Sequence, residues 1–354
     1  MKKNFKNKKV LITGHTGFKG SWLTLWMKLM GAKILGISYG EVSKPSNFNT
    51  FKLKDKILSK KINIKNFNAL NKEITNFKPN YIFHLAAEAI VKKAYADPKN
   101  AWTTNTLGTL NILETLRNYH KDVTVVIITS DKVYQNIEVS RGYKENDIMA
   151  NTDPYSASKA CADIATQSYI NTFLKKKKNI KIAIARAGNV IGGGDWATGR
   201  LIPDCIRSWS KNKKVSLRSP YSTRPWQHVL DVLHGYILLA IHLNKNKNLD
   251  GEIFNFGPTM NKKNNVLKVI RQTKIFWKEI NWKVDKESNF YESKLLHLNS
   301  SKAKKKLNWS CILDFKKNIF FTINWYRFYL KNKKDIVKFS LNQIEQFISL
   351  KKKK

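Results

Sequence analysis

A chain of 354 residues, 42% of them hydrophobic, has enough apolar material for one large or two closely joined domains, and the absence of any run of about 18 apolar residues excludes a membrane-spanning helix. The formal net charge of +40 is extreme, yet the lysines are spread throughout, form runs of four only at Lys175–Lys178 and Lys351–Lys354, and do not interleave with aromatics; this describes a solvated surface that draws in anionic substrates, with no nucleic-acid and no membrane partner. Cys161, Cys205 and Cys311 show neither metal-ligand spacing nor a disulfide framework, and Met1 to Lys9 is basic without an apolar core, so the expectation is a cytoplasmic protein without a metal.

Val10 to Thr13 is a short apolar run that predicts a buried strand. It leads into Gly14-His15-Thr16-Gly17-Phe18-Lys19-Gly20, and the amphipathic segment Ser21 to Met30 predicts a helix. Strand, glycine loop and helix in that order make a dinucleotide cradle: glycines let the backbone approach a pyrophosphate, and the helix N-terminus receives its negative charge. Ile34 to Ser38 predicts the second strand. An acidic residue at its end would select NAD; Glu41 stands slightly late in Ser38-Tyr39-Gly40-Glu41, which leaves the cofactor open at this point. Ile62-Asn63-Ile64 ends a predicted third strand, where Asn63 and Ile64 could line an adenine. Tyr81 to Leu85 predicts the fourth, and Ala86 and Ala87 behind Leu85 are small enough for close approach of a cofactor.

Asn100 to Asn118, which contains Asn105, has a helical pattern, and Val123 to Thr129 predicts a fifth strand. Ser130, Asp131 and Lys132 follow at its C-terminal end, where open α/β sheets bind ligands. In Pro154-Tyr155-Ser156-Ala157-Ser158-Lys159, the four-residue spacing puts Tyr155 and Lys159 on one helix face. An ammonium beside a phenol lowers the phenol pKa, which would let Tyr155 accept a proton from a sugar or alcohol hydroxyl. Ile180 to Arg186 predicts the sixth strand, with Asn189 just past it. Strands alternating with helices in this way predict an α/β, Rossmann-type, doubly wound parallel sheet.

Beyond Asn189, Gly192-Gly193-Gly194-Asp195-Trp196 reads as a flexible loop. Arg200 opens the next segment, and Arg218 and Arg224 carry the planar fork that suits a diphosphate. Ile253 to Gly257 predicts a strand that returns to the sheet. The expected division is a dinucleotide-binding domain over 1–190, rejoined by 228–258, and a smaller, mixed, mainly substrate-binding domain over 191–354 that ends in a solvated lysine tail.

Together, the loop from Gly14 to Trp22, Ser130-Asp131-Lys132-Val133-Tyr134, Tyr155 with Lys159, the block from Arg186 to Trp196, and Arg224-Pro225-Trp226-Gln227-His228-Val229 resemble the extended short-chain dehydrogenase/reductase family of NAD-dependent epimerases and dehydratases. The resemblance covers almost the whole chain. The glycine loop and Tyr-x-x-x-Lys are superfamily-wide, whereas Asp131-Lys132 and Gly-Gly-Gly-Asp-Trp are much narrower and point to its 4,6-dehydratases. The resemblance implies NAD as cofactor, a nucleotide-sugar substrate with CDP-glucose the expected one, hydro-lyase activity, and a homodimer or homotetramer. By it, Tyr155 takes the C4 hydroxyl proton, Lys159 lowers the tyrosine pKa and binds the nicotinamide ribose, and Ser130 hydrogen-bonds the C4 oxygen. Lys132 removes the C5 proton, and Asp131 protonates the departing C6 hydroxyl. Gly14, Thr16, Gly17, Phe18, Lys19, Gly20, Asn63, Ile64, Leu85, Ala86, Ala87, Asn105, Tyr155 and Lys159 would hold NAD. Asn189, Asp195, Trp196, Arg200, Arg218 and Arg224 would hold the substrate.

Three places depart from the family pattern. Glu88-Ala89-Ile90-Val91-Lys92 stands where Gln-Pro-Leu-Val-Arg is usual, and Asn63 and Gly199 each stand in place of an aspartate. The rival readings are a 4-epimerase or another nucleotide-sugar dehydratase, and a non-catalytic basic cofactor-binding protein. An epimerase has no use for an acid/base pair at Asp131 and Lys132, and intact Ser130, Asp131, Tyr155 and Lys159 weigh against loss of catalysis.

Overall fold

Alternate residues along a strand face opposite sides of its sheet, and here both sides are covered. Val10 and Ile12 enter one apolar core while Leu11 enters the other; Val126 and Ile128 divide from Val125 and Ile127 in the same way. Strands buried on both faces read as continuous apolar runs, which is why they were legible in the sequence. The computed structural model describes residues 1–150, 152–217, 219–259, 264–284 and 295–352.

Seven parallel strands form the central sheet: Lys9–Thr13, Lys33–Ser38, Leu58–Lys61, Tyr81–His84, Val123–Ile128, Ile180–Ala187 and Ile253–Phe256. In sequence numbering their order across the sheet is 3-2-1-4-5-6-7. The first strand pairs with the second (Val10 with Ile34) and with the fourth (Val10 with Tyr81). The chain reverses its direction of travel across the sheet at this point, so the loops after Thr13 and His84 diverge and open a crevice at the C-terminal edge. One face is covered by Phe67–Phe77, Gly108–Arg117 and the end of the helix that carries Tyr155; the other is covered by Phe18–Leu29, Val229–Lys245 and the C-terminal helices.

Several details differ from the sequence reading. A short helix, Lys2–Phe5, precedes the first strand. The third strand ends at Lys61, so Ile62 to Ile64 lie just past it; its four residues are all exposed, as befits an edge strand with no apolar pattern to mark it. The predicted helix over 100–118 is Pro98–Trp102, a π turn at Thr103–Leu107, and Gly108–Arg117. Its start is set by the Asp97 carboxylate, which accepts from Asn100 N at 3.0 Å. The glycine triplet is packed rather than flexible: Gly193 O accepts from Trp22 Nε1 at 2.8 Å and from Asn47 Nδ2 at 3.0 Å, and a Cβ on Gly193 would lie 2.0 Å from Trp325 Cγ. The last part of the chain is mainly helical, through Ser301–Leu307, Phe315–Lys331 and Ile336–Lys352. Lys351 does not belong to a solvated tail, because its Nζ lies 2.9 Å from His234 Nε2; Lys353 and Lys354 lie outside the described residues. No helix among the described residues is long and apolar enough to cross a membrane.

A buried ion pair ties the helix Pro154–Tyr169 to the sixth strand. Arg186 Nε donates to Asp163 Oδ2 and Arg186 Nη2 to Asp163 Oδ1, both at 2.8 Å, with both side chains withdrawn from solvent. The carboxylate also accepts from Thr129 Oγ1 at 2.9 Å and Gln167 Nε2 at 2.8 Å. Arg186 Nη1 donates to Tyr134 Oη at 2.8 Å, and Tyr134 Oη donates to Asn255 Oδ1 at 2.8 Å on the seventh strand. Removing one member of such a pair leaves an uncompensated buried charge. Asp163→Ala is therefore expected to cost about 3–5 kcal/mol, seen as a fall in the denaturant midpoint. Adding Arg186→Leu should recover part of the loss; equal midpoints for wild type and Asp163→Ala would contradict the role given to the pair.

Candidate active site

A cleft of about 1970 Å³ runs along the C-terminal edge of the sheet. At one end lies the glycine loop. Gly14 has φ +74°, and a Cβ there would lie 2.8 Å from Ala86 N; a Cβ on Gly20 would lie 2.0 Å from Gly14 O. Only glycine lets the loop pass this close to the Leu85–Ala87 turn and to the first turn of the helix Phe18–Leu29. Gly17 is the N-cap of that helix, so its free N–H groups face the cleft as an anion site. Thr16 Oγ1 donates to Gly40 O at 2.5 Å, which joins the loop to the end of the second strand. Asn63, Ile64, Leu85, Ala86 and Ala87 line the same cleft.

The middle of the cleft holds the proton-transfer groups. Ser130, the N-cap of a short turn at the end of the fifth strand, donates from Oγ to Asp131 Oδ1 at 3.0 Å. Asp131 is 3% exposed, and its Oδ2 has no hydrogen-bond partner. Burial raises its pKa, opposed by the positive charges of Lys132 and Lys19. Lys132 lines the cleft beside it. Lys19 is pushed down to about 8, chiefly by burial and then by Arg200.

Tyr155 and Lys159 depart from the expectation for the pair. Burial raises the phenol above its ordinary value, with the Ser130 hydroxyl and the Arg200 charge opposing. Lys159 is itself pushed down to about 7 by burial and by Lys19, and its Nζ donates to Ile128 O at 2.9 Å. Helical spacing gave the shared face but not the depth of the site, and the influences that oppose burial at Tyr155 come from Ser130 and Arg200 rather than from Lys159. His84 is no rival proton carrier: its ring is held between Thr13 Oγ1 at 2.8 Å and Thr109 Oγ1 at 3.1 Å, and burial pushes its pKa down to about 3.

The far wall contains Asn189, Asp195, Trp196, Arg200 and Arg224; Arg218 lies outside the described residues. Arg200 Nη1 donates to Asp195 Oδ2 at 2.7 Å. Trp196 packs edge-on against Tyr326 with ring centroids 5.1 Å apart. Arg224 Nη1 donates to Thr223 O at 3.0 Å. Asn105, expected on the cofactor, is fully buried and does not line the cleft. The π turn carries it inward, where Nδ2 donates to Ser158 Oγ at 2.9 Å and Oδ1 accepts from Glu88 N at 2.7 Å, so it braces the Ala86–Glu88 turn against the Tyr155 helix. Ser38 and Tyr326 are among the lining groups that were missed. Ser38 accepts from Thr16 N at 3.4 Å, and Tyr326, on a C-terminal helix, donates to Asp195 O at 2.6 Å. The strand-end position could have flagged Ser38, but nothing local marks Tyr326.

A family model described as GDP-mannose 4,6 dehydratase matches residues 11–319. The CDP-glucose 4,6-dehydratase of Salmonella typhimurium is 38% identical over 353 residues, 98% of each chain. The UDP-glucose 4-epimerase of Mycoplasma genitalium is 25% identical over 341 residues, covering 90% of this chain and 96% of that one. Among solved structures, the dTDP-glucose 4,6-dehydratase of Bacillus anthracis in complex with NAD superposes with a TM-score of 0.74 at 25% identity, covering 92% of this chain and 98% of that one.

The depressed pKa of Lys19 has a direct consequence. Near pH 8 about half of its amines are neutral, whereas ordinary solvated lysines titrate near ~10.4. A limiting amine-acylating reagent at pH 8 should modify Lys19 roughly tenfold or more ahead of ordinary surface lysines, as read by peptide mass mapping. Labelling of Lys19 no faster than that of surface lysines would contradict this account of the cleft.

Proposed function

This chain belongs to the GDP-mannose 4,6 dehydratase family, and we propose that within it the chain is a CDP-glucose 4,6-dehydratase, converting CDP-glucose to CDP-4-keto-6-deoxyglucose and water with NAD as a recycled cofactor. The choice of CDP-glucose is supported by the Salmonella relative, which matches over 98% of both chains. One observation carries the choice of elimination: Asp131, buried and with Oδ2 unpartnered, stands beside Lys132 in the cleft that also holds Ser130 and Tyr155. Elimination needs an acid and a base on adjacent carbons, and epimerisation at C4 needs neither.

The cleft fits NAD. The bare backbone at Gly14 and Gly17 and the N-terminus of the helix Phe18–Leu29 suit its pyrophosphate, with Thr16, Phe18, Lys19 and Gly20 completing the cradle. Asn63 and Ile64 suit the adenine end, Leu85, Ala86 and Ala87 the middle, and Tyr155 and Lys159 the nicotinamide ribose. When bound, NAD accepts a hydride from C4 and returns it at C6. In its ionised form, which Ser130 and the Arg200 charge favour against burial, Tyr155 takes the C4 hydroxyl proton. The resulting C4 ketone makes the C5 proton acidic, and Lys132 removes it. Asp131, held toward its protonated form by burial, gives its proton to the C6 hydroxyl, which leaves as water. Lys132 then returns a proton to C5, and the proton held by Tyr155 replaces the one lost from Asp131. Arg200 and Arg224, with Arg218, supply the charge for the substrate diphosphate, and Asn189, Asp195 and Trp196 shape the sugar end.

The assembly we infer is a homodimer or homotetramer. Tyr95, Trp102, Leu107, Ile164 and Phe173 are exposed on the helices around Tyr155, an apolar face suited to a second copy. Three free cysteines fit a reducing, cytoplasmic compartment.

Incubation with CDP-, dTDP-, UDP- and GDP-linked glucose tests the reading. The expected result is a 4-keto-6-deoxy product, detected by its absorbance in alkali, with CDP-glucose preferred about tenfold or more in kcat/KM. A C4 epimer without deoxysugar would contradict the dehydratase reading, and preference for another nucleotide would contradict CDP.

A further inference from the structure

Two of the departures from the family pattern meet in space. Gly199 has φ +79°, and a Cβ placed on it would lie 3.4 Å from Lys92 Cδ and 3.7 Å from Lys92 Cε. The left-handed backbone at Gly199 carries no side chain, so the Lys92 stem passes beside it with no side chain against it, and both residues line the cleft. An aspartate at 199 would stand against that stem and attract the ammonium. With glycine there, the charge is left to face the cleft.

The carboxylates nearest in sequence are already committed. Glu88 Oε1 accepts from Ile90 N at 3.0 Å, within its own turn. Asp195 holds Arg200 Nη1 at 2.7 Å, and Asp204, whose Oδ1 accepts from Gly199 N at 3.3 Å, pairs with Arg207. Lys92 makes no hydrogen bond or ion pair among the described residues. A cation that lines a cleft without a partner there is suited to an anionic oxygen of a ligand.

We propose that Lys92, which runs past Gly199 into the cleft, is a substrate-binding residue that contacts the diphosphate of the nucleotide sugar. The inference rests on the nucleotide-sugar reading above and adds to it a diphosphate-binding cation. Lys92 is a binding residue only and takes no part in proton transfer.

Calorimetric titration with CDP and CMP, and separately with NAD, tests this without requiring turnover. For Lys92→Met, the CDP Kd should rise about tenfold or more, the size of a lost charge-assisted hydrogen bond. CMP, with one phosphate fewer, should lose less, and NAD binding should stay within about twofold of wild type, which also reports a folded protein. Lys92→Arg should retain CDP binding within about threefold, and Lys72→Met, exposed on the helix Phe67–Phe77 and outside the cleft, should bind CDP as wild type does. In turnover, Lys92→Met should raise KM at nearly constant kcat. Unchanged CDP affinity in Lys92→Met, or a loss confined to NAD, would overturn the proposal. If wild type binds CDP through Lys92 yet releases no deoxysugar, the dehydratase reading falls and the binding role stands.

Discussion

The bidentate pair between Asp163 and Arg186 is the interaction on which the arrangement of the site depends. It fixes the helix Pro154–Tyr169 against the end of the sixth strand, and with it the position of Tyr155 and Lys159. The Asp163 carboxylate also takes a hydrogen bond from Thr129, the residue immediately before Ser130 and Asp131. Through Tyr134 and Asn255 the same network reaches the seventh strand. One buried cluster thus sets the relative placement of both halves of the proton-transfer machinery. The desolvation it requires is offset because nearly every polar atom has a partner.

Burial governs the chemistry of the cleft as much as its geometry does. It raises Tyr155 and Asp131 and lowers Lys159 and Lys19. Each shift moves the group toward its neutral form, as desolvation must. A carboxyl held toward its protonated form suits an acid, and a lysine near 7 changes charge readily as its surroundings change. Arg200 and Lys19 supply the positive charges that bear on Tyr155 and Asp131, so these groups respond to one another rather than singly.

The sheet was legible because strands buried on both faces carry unbroken apolar runs, and the glycine loop because its context of strand and helix is local. Its exposed edge strand, Leu58–Lys61, has no such run, and its end was placed late. The side chains brought into the cleft from strand ends, among them Ser130, Asp131, Lys132 and Asn189, are also local features of the sequence. What escaped was set by contacts distant along the chain. The packing of Gly193 against Trp325 turns an apparent flexible loop into a buried one. The π turn at Thr103–Leu107 carries Asn105 away from the cleft, and periodicity does not encode one extra residue in a turn. The contact of Tyr326 with Asp195 spans 131 residues. The pKa of Tyr155 is set chiefly by burial, which helical spacing does not report.

The central claim is that Asp131 and Lys132 are the acid and base of an elimination that follows oxidation at C4. Rapid mixing of NAD-loaded Lys132→Ala with CDP-glucose tests it most directly, because Tyr155, Lys159 and the cradle are untouched. The account predicts that reduced-cofactor absorbance appears and persists, that little 4-keto-6-deoxy sugar is released, and that exchange of the C5 proton with solvent deuterium falls by about 10²–10⁴-fold. Elimination at the wild-type rate, with normal C5 exchange and no persistent reduced cofactor, would contradict it.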